Sequence, residues 1–353
     1  MRIVLDAMGS DDCPEPEIQA SLEASRLYPN DEIILVGPEE QLQTRLASQN
    51  SRYPNLRLVA APEVITMYDK GLQLALKAKR PNAKTSMAVG IDLVKNGQAD
   101  AFVTAGNTGG AMATAYYRLG IIPGVERPGL AGLFPVKGGY CVVLDIGANP
   151  DCKPEHLVQF AIMGSIYAEK VLGIQSPRVG LLSNGEEAGK GNELVKGTYP
   201  LLEASGLNYI GNIEGKELFG GEADVAVTDG FTGNILLKGS EAVAKLITEV
   251  LRQELTSSLR TKVGALLAKP AFVNLKSLLD PAEVGAAPLL GIDGLVFIGH
   301  GRSDARALVS AIRTARQAVE ADLLGSLHNA IQERLVNLSP SAGQPSPEKV
   351  QVA

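Results

Sequence analysis

The chain has 353 residues, 45% hydrophobic and 20% charged, with a formal net charge of −6 at pH 7. This is the composition of a globular protein with a large core, at a length that fits two domains or one large α/β domain. The acidic balance excludes a general nucleic-acid surface, because neutralising phosphates requires a basic face, and an acidic macromolecular partner must then meet a local basic patch. Three cysteines, Cys13, Cys141 and Cys152, lack zinc-like spacing, and their odd number fits a reducing compartment, so a cytoplasmic location is expected. The start of the chain has no basic segment followed by an apolar one, and no apolar run reaches about 18 residues, so neither secretion nor membrane spanning is expected.

Short runs rich in Val, Ile and Leu recur along the chain: IVLDAM from Ile3, EIILVG from Glu32, LRLVAA from Leu56, DAFVTA from Asp100 and YCVVLDIG from Tyr140. RVGLLS from Arg178, NYIGNI from Asn208, DVAVTDG from Asp224 and GLVFIG from Gly294 follow. Helical stretches lie between most of them, beginning at Pro16, Ser86, Pro154 and Gly191. Non-alternating apolar strands interleaved with helices predict a three-layer αβα fold with a mainly parallel sheet covered on both faces. Ligands of such sheets bind beyond the carboxyl ends of the strands.

From about Ser240 to Leu279 the pattern changes to continuous helix with no strand, which predicts a helical hairpin broken near Pro270. The expected organisation is one αβα domain over residues 1–334 with this hairpin inserted at about 240–279. Residues 335–353, rich in Pro, Ser and Gly, are expected to be a disordered tail.

A half-repeat joins ADAFVTAGNTGGAM from Ala99 to ADVAVTDGFTGNIL from Ala223. Each copy runs from a strand through a Gly/Thr/Asn loop into a helix, so helix-start N–H groups face whatever lies past the strand, and glycine lets an anion approach. Either loop alone is equally well read as a tight βα turn. Their repetition predicts one anionic ligand held from two sides.

Six loops carry the candidate chemistry. Asp6 ends the first strand, and Asp11 and Asp12 precede a helix whose dipole they also satisfy. TAGNTGGAM offers the side chains of Asn107 and Thr108 and the amides of Gly109 and Gly110. Next come Asp145 and Asn149, with Lys153 and His156 at the following helix start. Lys190 stands between two glycines beside Glu186 and Glu187; Gly191 follows it where a phosphate-binding P-loop needs Ser or Thr, so it reads as an electrostatic clamp or as a flexible surface lysine. The second half-repeat copy contributes Asp229, Gly230, Thr232, Gly233, Asn234 and Lys238. His300 follows the last strand and is the histidine best situated for proton transfer, whereas His328 reads as surface.

No GxGxxG follows a strand, and HExxH, GxSxG and Cys/His metal sets are absent from the sequence, which removes the usual support for nicotinamide, zinc-peptidase and serine-hydrolase chemistry. Cys152 beside Lys153 and His156 reads either as a nucleophile or, more simply, as a small half-buried thiol.

At these residues the chain resembles the bacterial phosphate acyltransferase family of phospholipid synthesis. The blocks DAMGSD, AGNTGG, GVERPGL, LDIGAN, KPEHLVQFAIMGS, SPRVGLL, GNEL, TDGFTGN and GHG occur in the family's order across about residues 1–334. Ser10 stands where the family usually has a second glycine after Gly9. The resemblance implies an isocitrate-dehydrogenase/phosphotransacetylase-like fold, a homodimer, no metal or organic cofactor, and transfer of a long-chain fatty acyl group from acyl carrier protein to inorganic phosphate. The acyl phosphate would then serve a membrane glycerol-3-phosphate acyltransferase. On this reading Lys190, His300, Asn107 and Asp229 are catalytic. Asp6, Gly9, Asp11, Thr108, Gly109, Gly110, Asp145, Asn149, Lys153, Gly230, Thr232, Gly233 and Asn234 bind substrate. The cations Arg252, Arg260, Lys262, Lys269 and Lys276 form a face for the carrier protein, and the apolar residues around Pro270 pack at a dimer interface or touch lipid as a peripheral membrane contact. Two other readings fit the same loops: a short-chain phosphotransacetylase using a coenzyme A thioester, and a non-catalytic lipid- or phosphate-binding protein.

Overall fold

Ile3, Val4 and Leu5 in the first strand and Ile33, Ile34, Leu35 and Val36 in the second have no exposed surface, so both faces of the sheet must be covered. The computed structural model, which describes residues 1–48 and 53–338, shows how. The first half of the chain runs β1 (Arg2–Asp6), α1 (Glu15–Leu27), β2 (Glu32–Gly37), α2 (Glu39–Ala47), β3 (Leu56–Ala60), α3 (Gly71–Lys79), α4 (Ser86–Lys95), β4 (Ala101–Thr104) and α5 (Thr108–Arg118). Next come β5 (Gly129–Val136), β6 (Gly139–Leu144), α6 (Pro154–Lys170), β7 (Val179–Leu182), α7 (Glu193–Glu203), β8 (Tyr209–Ile213), α8 (Gly215–Gly220), β9 (Val225–Val227) and α9 (Gly230–Thr256). The chain continues through α10 (Leu259–Leu267), α11 (Lys269–Leu279), β10 (Ala286–Leu290), β11 (Val296–Gly299), α12 (Ala305–Glu320) and α13 (Leu323–Leu338).

Alternate strand residues feed two separate cores. Ile3, Leu5, Val142 and Leu144 join one that includes Phe160 and Leu308, and Val4, Cys141 and Val143 join another that includes Ile91 and Ala111. Helices α1, α6, α12 and α13 thus cover one face and α4, α5 and α8 the other, giving the three αβα layers.

The sheet has eleven strands in the order β3-β2-β1-β4-β11-β10-β5-β6-β9-β7-β8. Strands β3, β2, β1, β4 and β11 run parallel to one another, as do β6, β9, β7 and β8. Between these groups β10 pairs antiparallel with β11 and with β5, and β5 pairs antiparallel with β6. The two parallel groups therefore point in opposite senses.

Helix α9 starts at Gly230, directly from the second half-repeat loop, and not near Ser240. The principal break in the arm lies at Ser257 and Ser258, where the Ser258 side chain caps α10. A second break at Ala268 precedes α11, in which Pro270 occupies the first turn, where a proline costs no helical hydrogen bond. Along the arm Val243, Leu246, Val250, Leu259, Val263, Leu266 and Leu267 are exposed. At the carboxyl end α13 continues to Leu338, beyond the expected boundary at 334, and residues 339–353 lie outside the described residues. No described helix is long and apolar enough to cross a membrane.

Candidate active site

The six loops gather into two clusters, one at the carboxyl ends of each parallel group. The first is built on β1, β4 and β11. Asp6 is fully buried; its Oδ2 accepts from the Thr104 hydroxyl at 2.8 Å and its Oδ1 from the Met8 N–H at 3.1 Å. Burial pushes its carboxyl above the ordinary range, against these donors. Gly9 passes so close to the next loop that a Cβ there would lie 2.8 Å from the Ala105 nitrogen. The exposed Asp11 ties this loop to the last one through its N–H, which donates to the Gly301 carbonyl at 2.8 Å. His300 is exposed, with Nδ1 accepting from the Arg302 N–H at 3.2 Å. Thr108 and Gly109 are exposed on the first turn of α5, and Gly110 is buried beneath them.

Asn107 caps α5, its Oδ1 accepting from the Gly110 N–H at 3.0 Å. Its Nδ2 donates to the carbonyls of Thr66 and Asp69, both at 3.1 Å. Both amide hydrogens are thus spent on backbone, so Asn107 shapes the loop and has none left for an oxyanion.

The second cluster is built on β6, β9 and β7. Asp145 is fully buried, and five donors meet its carboxylate: the N–H groups of Leu130, Gly147, Ala148 and Asn149, and the Asn149 Nδ2. Burial pushes its carboxyl up while these donors pull it down. The Leu144–Asp145 peptide is cis. Asn149 also donates to the Pro128 carbonyl at 2.7 Å and accepts on its own carbonyl from the Gly230 N–H at 2.8 Å. Asp229 caps α9, holding both the N–H and the hydroxyl of Thr232. Asn234 lies beside Gly147, and its carboxamide has no hydrogen-bond partner among the described residues. Lys153 is exposed at the start of α6. Lys190 is exposed and without an ion pair on the loop after β7, which is held by the Asn184 side chain accepting from the Gly191 N–H at 3.0 Å.

The clusters do not merge. The half-repeat strands β4 and β9 are separated by β11, β10, β5 and β6 and run in opposite senses. Five strand steps of about 4.8 Å separate the two strands by ~24 Å across the sheet, and their opposite senses put the loops that follow them at opposite edges of it. The expectation that one small anion is held by both copies is therefore corrected: within one chain Asn107 and His300 lie in one cluster, and Asn234 and Lys190 in the other. The copies also differ in detail, since α5 starts after Asn107 whereas α9 starts after Asp229, two repeat positions earlier.

Three features add contacts or a charge that the sequence reading did not assign. Glu17, fully buried, accepts from the Ser10 N–H at 2.7 Å across a seven-residue separation that no local motif marks. His156 is buried, with Nε2 3.1 Å from Glu126 Oε2. Arg127, inside the GVERPGL block, is exposed with its charge felt at Cys152. The Cys152 thiol itself is pushed up to about 11, chiefly by burial, which keeps it protonated at neutral pH and unsuited to attack. Among the described residues one carboxylate group, Glu186, Glu214 and Glu217, is close enough to hold a metal ion. Lys216 already fills it, with contacts of 2.6, 3.7 and 3.2 Å.

Residues 1–325 match the family described as fatty acid synthesis protein. The chain is 46% identical over 332 residues to a phosphate acyltransferase of Pelotomaculum thermopropionicum, covering 94% of this chain and 95% of the relative. It is 48% identical over 317 residues to one of Acidobacterium capsulatum, covering 89% and 92%. Among solved structures it is similar to a phosphotransacetylase from Streptococcus pyogenes, with a TM-score of 0.60, 19% identity and coverage of 91% and 94%. EutD phosphotransacetylase from Staphylococcus aureus gives a TM-score of 0.59 at 17% identity, with the same coverage. These two likenesses establish the fold.

Proposed function

We propose, from the premise that this chain belongs to the phosphate acyltransferase family of fatty acid synthesis proteins and is an acyltransferase enzyme, that its donor is a long-chain acyl thioester of acyl carrier protein and its product an acyl phosphate. The observation that carries this reading is α9. Its first turn is the Asp229–Asn234 loop, and its far half, with α10, exposes Arg252, Arg260 and Lys262, none of which has an ion pair among the described residues. An anion-binding loop and Arg252 thus share helix α9, and Arg260 and Lys262 follow on α10 to extend a basic face for an acidic carrier, in a chain that is acidic overall.

Phosphate is already a nucleophile at neutral pH, so the protein must chiefly aim it and stabilise the oxyanion. An oxygen of hydrogen phosphate attacks the thioester carbonyl, the new O–C bond gives a tetrahedral oxyanion, and its collapse breaks the C–S bond and expels the carrier thiolate, which takes up the proton that the hydrogen phosphate gives up, so that acyl phosphate and carrier thiol leave. Lys190 supplies positive charge, the first-turn amides of α9 and the free Asn234 carboxamide supply donors, and Asp145 and Asp229 hold those donors in position. The His300 cluster, with Asp6, Gly9, Asp11, Thr108, Gly109 and Gly110, provides a second polar surface for the extended donor. The exposed apolar arm fits packing against a second copy in a homodimer, with lipid contact as the second reading. Cytoplasmic location and delivery of product to a membrane glycerol-3-phosphate acyltransferase belong to the same proposal.

Incubation of the purified protein with long-chain acyl carrier protein and labelled phosphate tests this reading. Labelled acyl phosphate supports it; turnover with acetyl-coenzyme A alone would make the protein a short-chain phosphotransacetylase, and binding without turnover would make it a non-catalytic lipid- or phosphate-binding protein.

A further inference from the structure

We propose that Arg127 is the guanidinium that grips a phosphoryl group at the Asp229–Asn234 cluster; the role rests on the transfer reading above and assigns the second cation of that site. The backbone around Arg127 is pinned on both sides. Before it, the Glu126 N–H donates to Gln159 Oε1 at 2.8 Å, Gln159 Nε2 donates to the Gly124 carbonyl at 3.2 Å, and Glu126 Oε2 meets His156. After it, the Pro128 carbonyl accepts from Asn149 Nδ2 at 2.7 Å and the Leu130 N–H donates to Asp145 Oδ1 at 3.2 Å. Pro128 further restricts the backbone of Arg127 to extended geometry.

The side chain on this fixed backbone is free: the guanidinium is exposed and has no ion pair or hydrogen bond among the described residues. A structural arginine is normally identified by its partners, as Arg178 is by Asp224 and Arg118 by Asp92. The residues on either side of Arg127 are anchored and its fork is not. It is also near the loop, because its charge reaches the Cys152 thiol, whose Sγ lies 3.4 Å from the Asn149 carbonyl that accepts the Gly230 N–H. Asp145 and Asp229 make this region negative, so an anion entering it needs a compensating cation. A planar fork matches two phosphoryl oxygens at once, which a lysine ammonium cannot do. The phosphoryl group comes either from inorganic phosphate or from the phosphodiester of a carrier-linked thioester arm.

The test uses Arg127→Ala and Arg127→Lys in the full chain, with KM measured separately for phosphate and for acyl carrier protein. Thermal melting with and without inorganic phosphate is measured alongside. Loss of a charge-assisted fork should raise the relevant KM about 10- to 100-fold, leave the melting temperature without phosphate unchanged, be only partly repaired by lysine, and be relieved by added guanidinium ion. A rise in the phosphate KM assigns the fork to the acceptor, and a rise confined to the carrier KM assigns it to the arm. Unchanged values for both, in a protein whose wild type turns over, overturn the proposal. If the wild type does not turn over, the transfer reading fails by itself. The phosphate-induced rise in melting temperature then decides Arg127, since its persistence in Arg127→Ala overturns the assignment and its loss upholds it.

Discussion

A methyl group on Gly233 would sit 1.9 Å from the carbonyl oxygen of Asp145, so the first turn of α9 and the loop after β6 are spaced by the absence of a side chain. Gly230 is only slightly less confined, its Cβ position lying 2.8 Å from both Asp145 Oδ2 and the Asn149 carbonyl. Gly233→Ala must therefore push the helix start away from Asp145. The expected cost is about 1–3 kcal/mol of stability by urea denaturation, as for other overpacked sites, with a larger proportional loss of kcat/KM because the donor loop moves. Gly239→Ala, later in the same helix with open space around it, is the control and should stabilise by roughly 0.5–1 kcal/mol. Equal stability of Gly233→Ala and wild type would contradict this packing.

Glu17 should make stability fall as pH rises from about 4.5 to neutrality and level off above it. One of its oxygens accepts from Ser10 and the other is buried without a partner. Burial raises its carboxyl to about 7, with the negative charge of Asp6 acting in the same direction; the Ser10 hydrogen bond opposes them, and Cys13, its remaining titratable neighbour, rises to about 11. The folded carboxyl lies above its ordinary value of 4.5, so between those two pH values the folded chain holds a proton that the unfolded chain has lost, and stability declines across the window. The full effect above pH 7 is at most about 3 kcal/mol. Glu17→Gln keeps an acceptor for Ser10 and removes the titration. It should flatten the pH dependence of urea midpoints between pH 5 and 8 and exceed wild type at pH 8; an unchanged slope would remove Glu17 as its source.

Lys190 makes little use of its side chain for folding. Its stem covers Gly185, where a Cβ would lie 2.8 Å from Lys190 Cγ, and its ammonium has no ion pair among the described residues. Lys190→Ala should then change stability by less than about 0.5 kcal/mol while lowering turnover on the order of 100-fold or more, the effect of losing one preorganised donor to developing charge. Near wild-type turnover in the folded variant would take Lys190 out of the site.

The strands that were legible in the sequence are those buried on both faces, because they read as unbroken apolar runs. Strands β5 (GLAGLFPV) and β10 (AAPLL) escaped: each contains a proline, Pro135 or Pro288, and β5 also has two glycines, all weak strand formers. These two reverse the sense of the second parallel group, so missing them hid the separation of the two clusters. Likewise Gly230 and Gly233 in the first turn of α9 disguised a helix start that the Asp229 cap marks. The loops themselves were legible because strand-end Gly, Asn and Thr are local signals. The segment around Arg127 and the carboxylate of Glu17 are held by contacts between residues distant in the chain or seven apart, which no local spacing encodes.

That separation predicts additivity. Asn107 and Asn234 share no contact, and their strands lie ~24 Å apart with the loops at opposite sheet edges, beyond the 7–10 Å over which side chains couple. The stability losses of Asn107→Ala and Asn234→Ala should add within about 0.5 kcal/mol in the double variant. Asn107→Ala should cost more, since it removes a cap and two loop ties while Asn234 has none. Coupling well above that limit would show that the two loops meet.

On the arm, Arg252, Arg260, Lys262 and Lys269 are exposed and unpaired among the described residues, whereas Glu249 is engaged by Lys245 at 3.9 Å. The Lys276 side chain lies outside the described residues. If this face receives the acidic carrier, Lys262→Glu with Lys269→Glu should raise the KM for acyl carrier protein several-fold, up to about 10-fold, as expected when exposed pairs become repulsive. The KM for phosphate should not move, because Lys262 and Lys269 lie on α10 and α11, beyond the far end of the helix whose first turn carries the loop amides. Added salt should raise the wild-type carrier KM in the same direction and have less effect on the double variant, since exposed charges are screened within about 10 Å at 0.1 M. The apolar residues separate by a different measurement. Leu266→Glu puts a charge on a side chain that is 72% exposed, so folding of the chain should survive. A shift from dimer to monomer in sedimentation would identify the apolar face as subunit packing, and loss of binding to anionic vesicles with an unchanged dimer would identify it as a lipid contact. A carrier KM that ignores both the charge reversals and salt would mean that the carrier binds elsewhere on the protein.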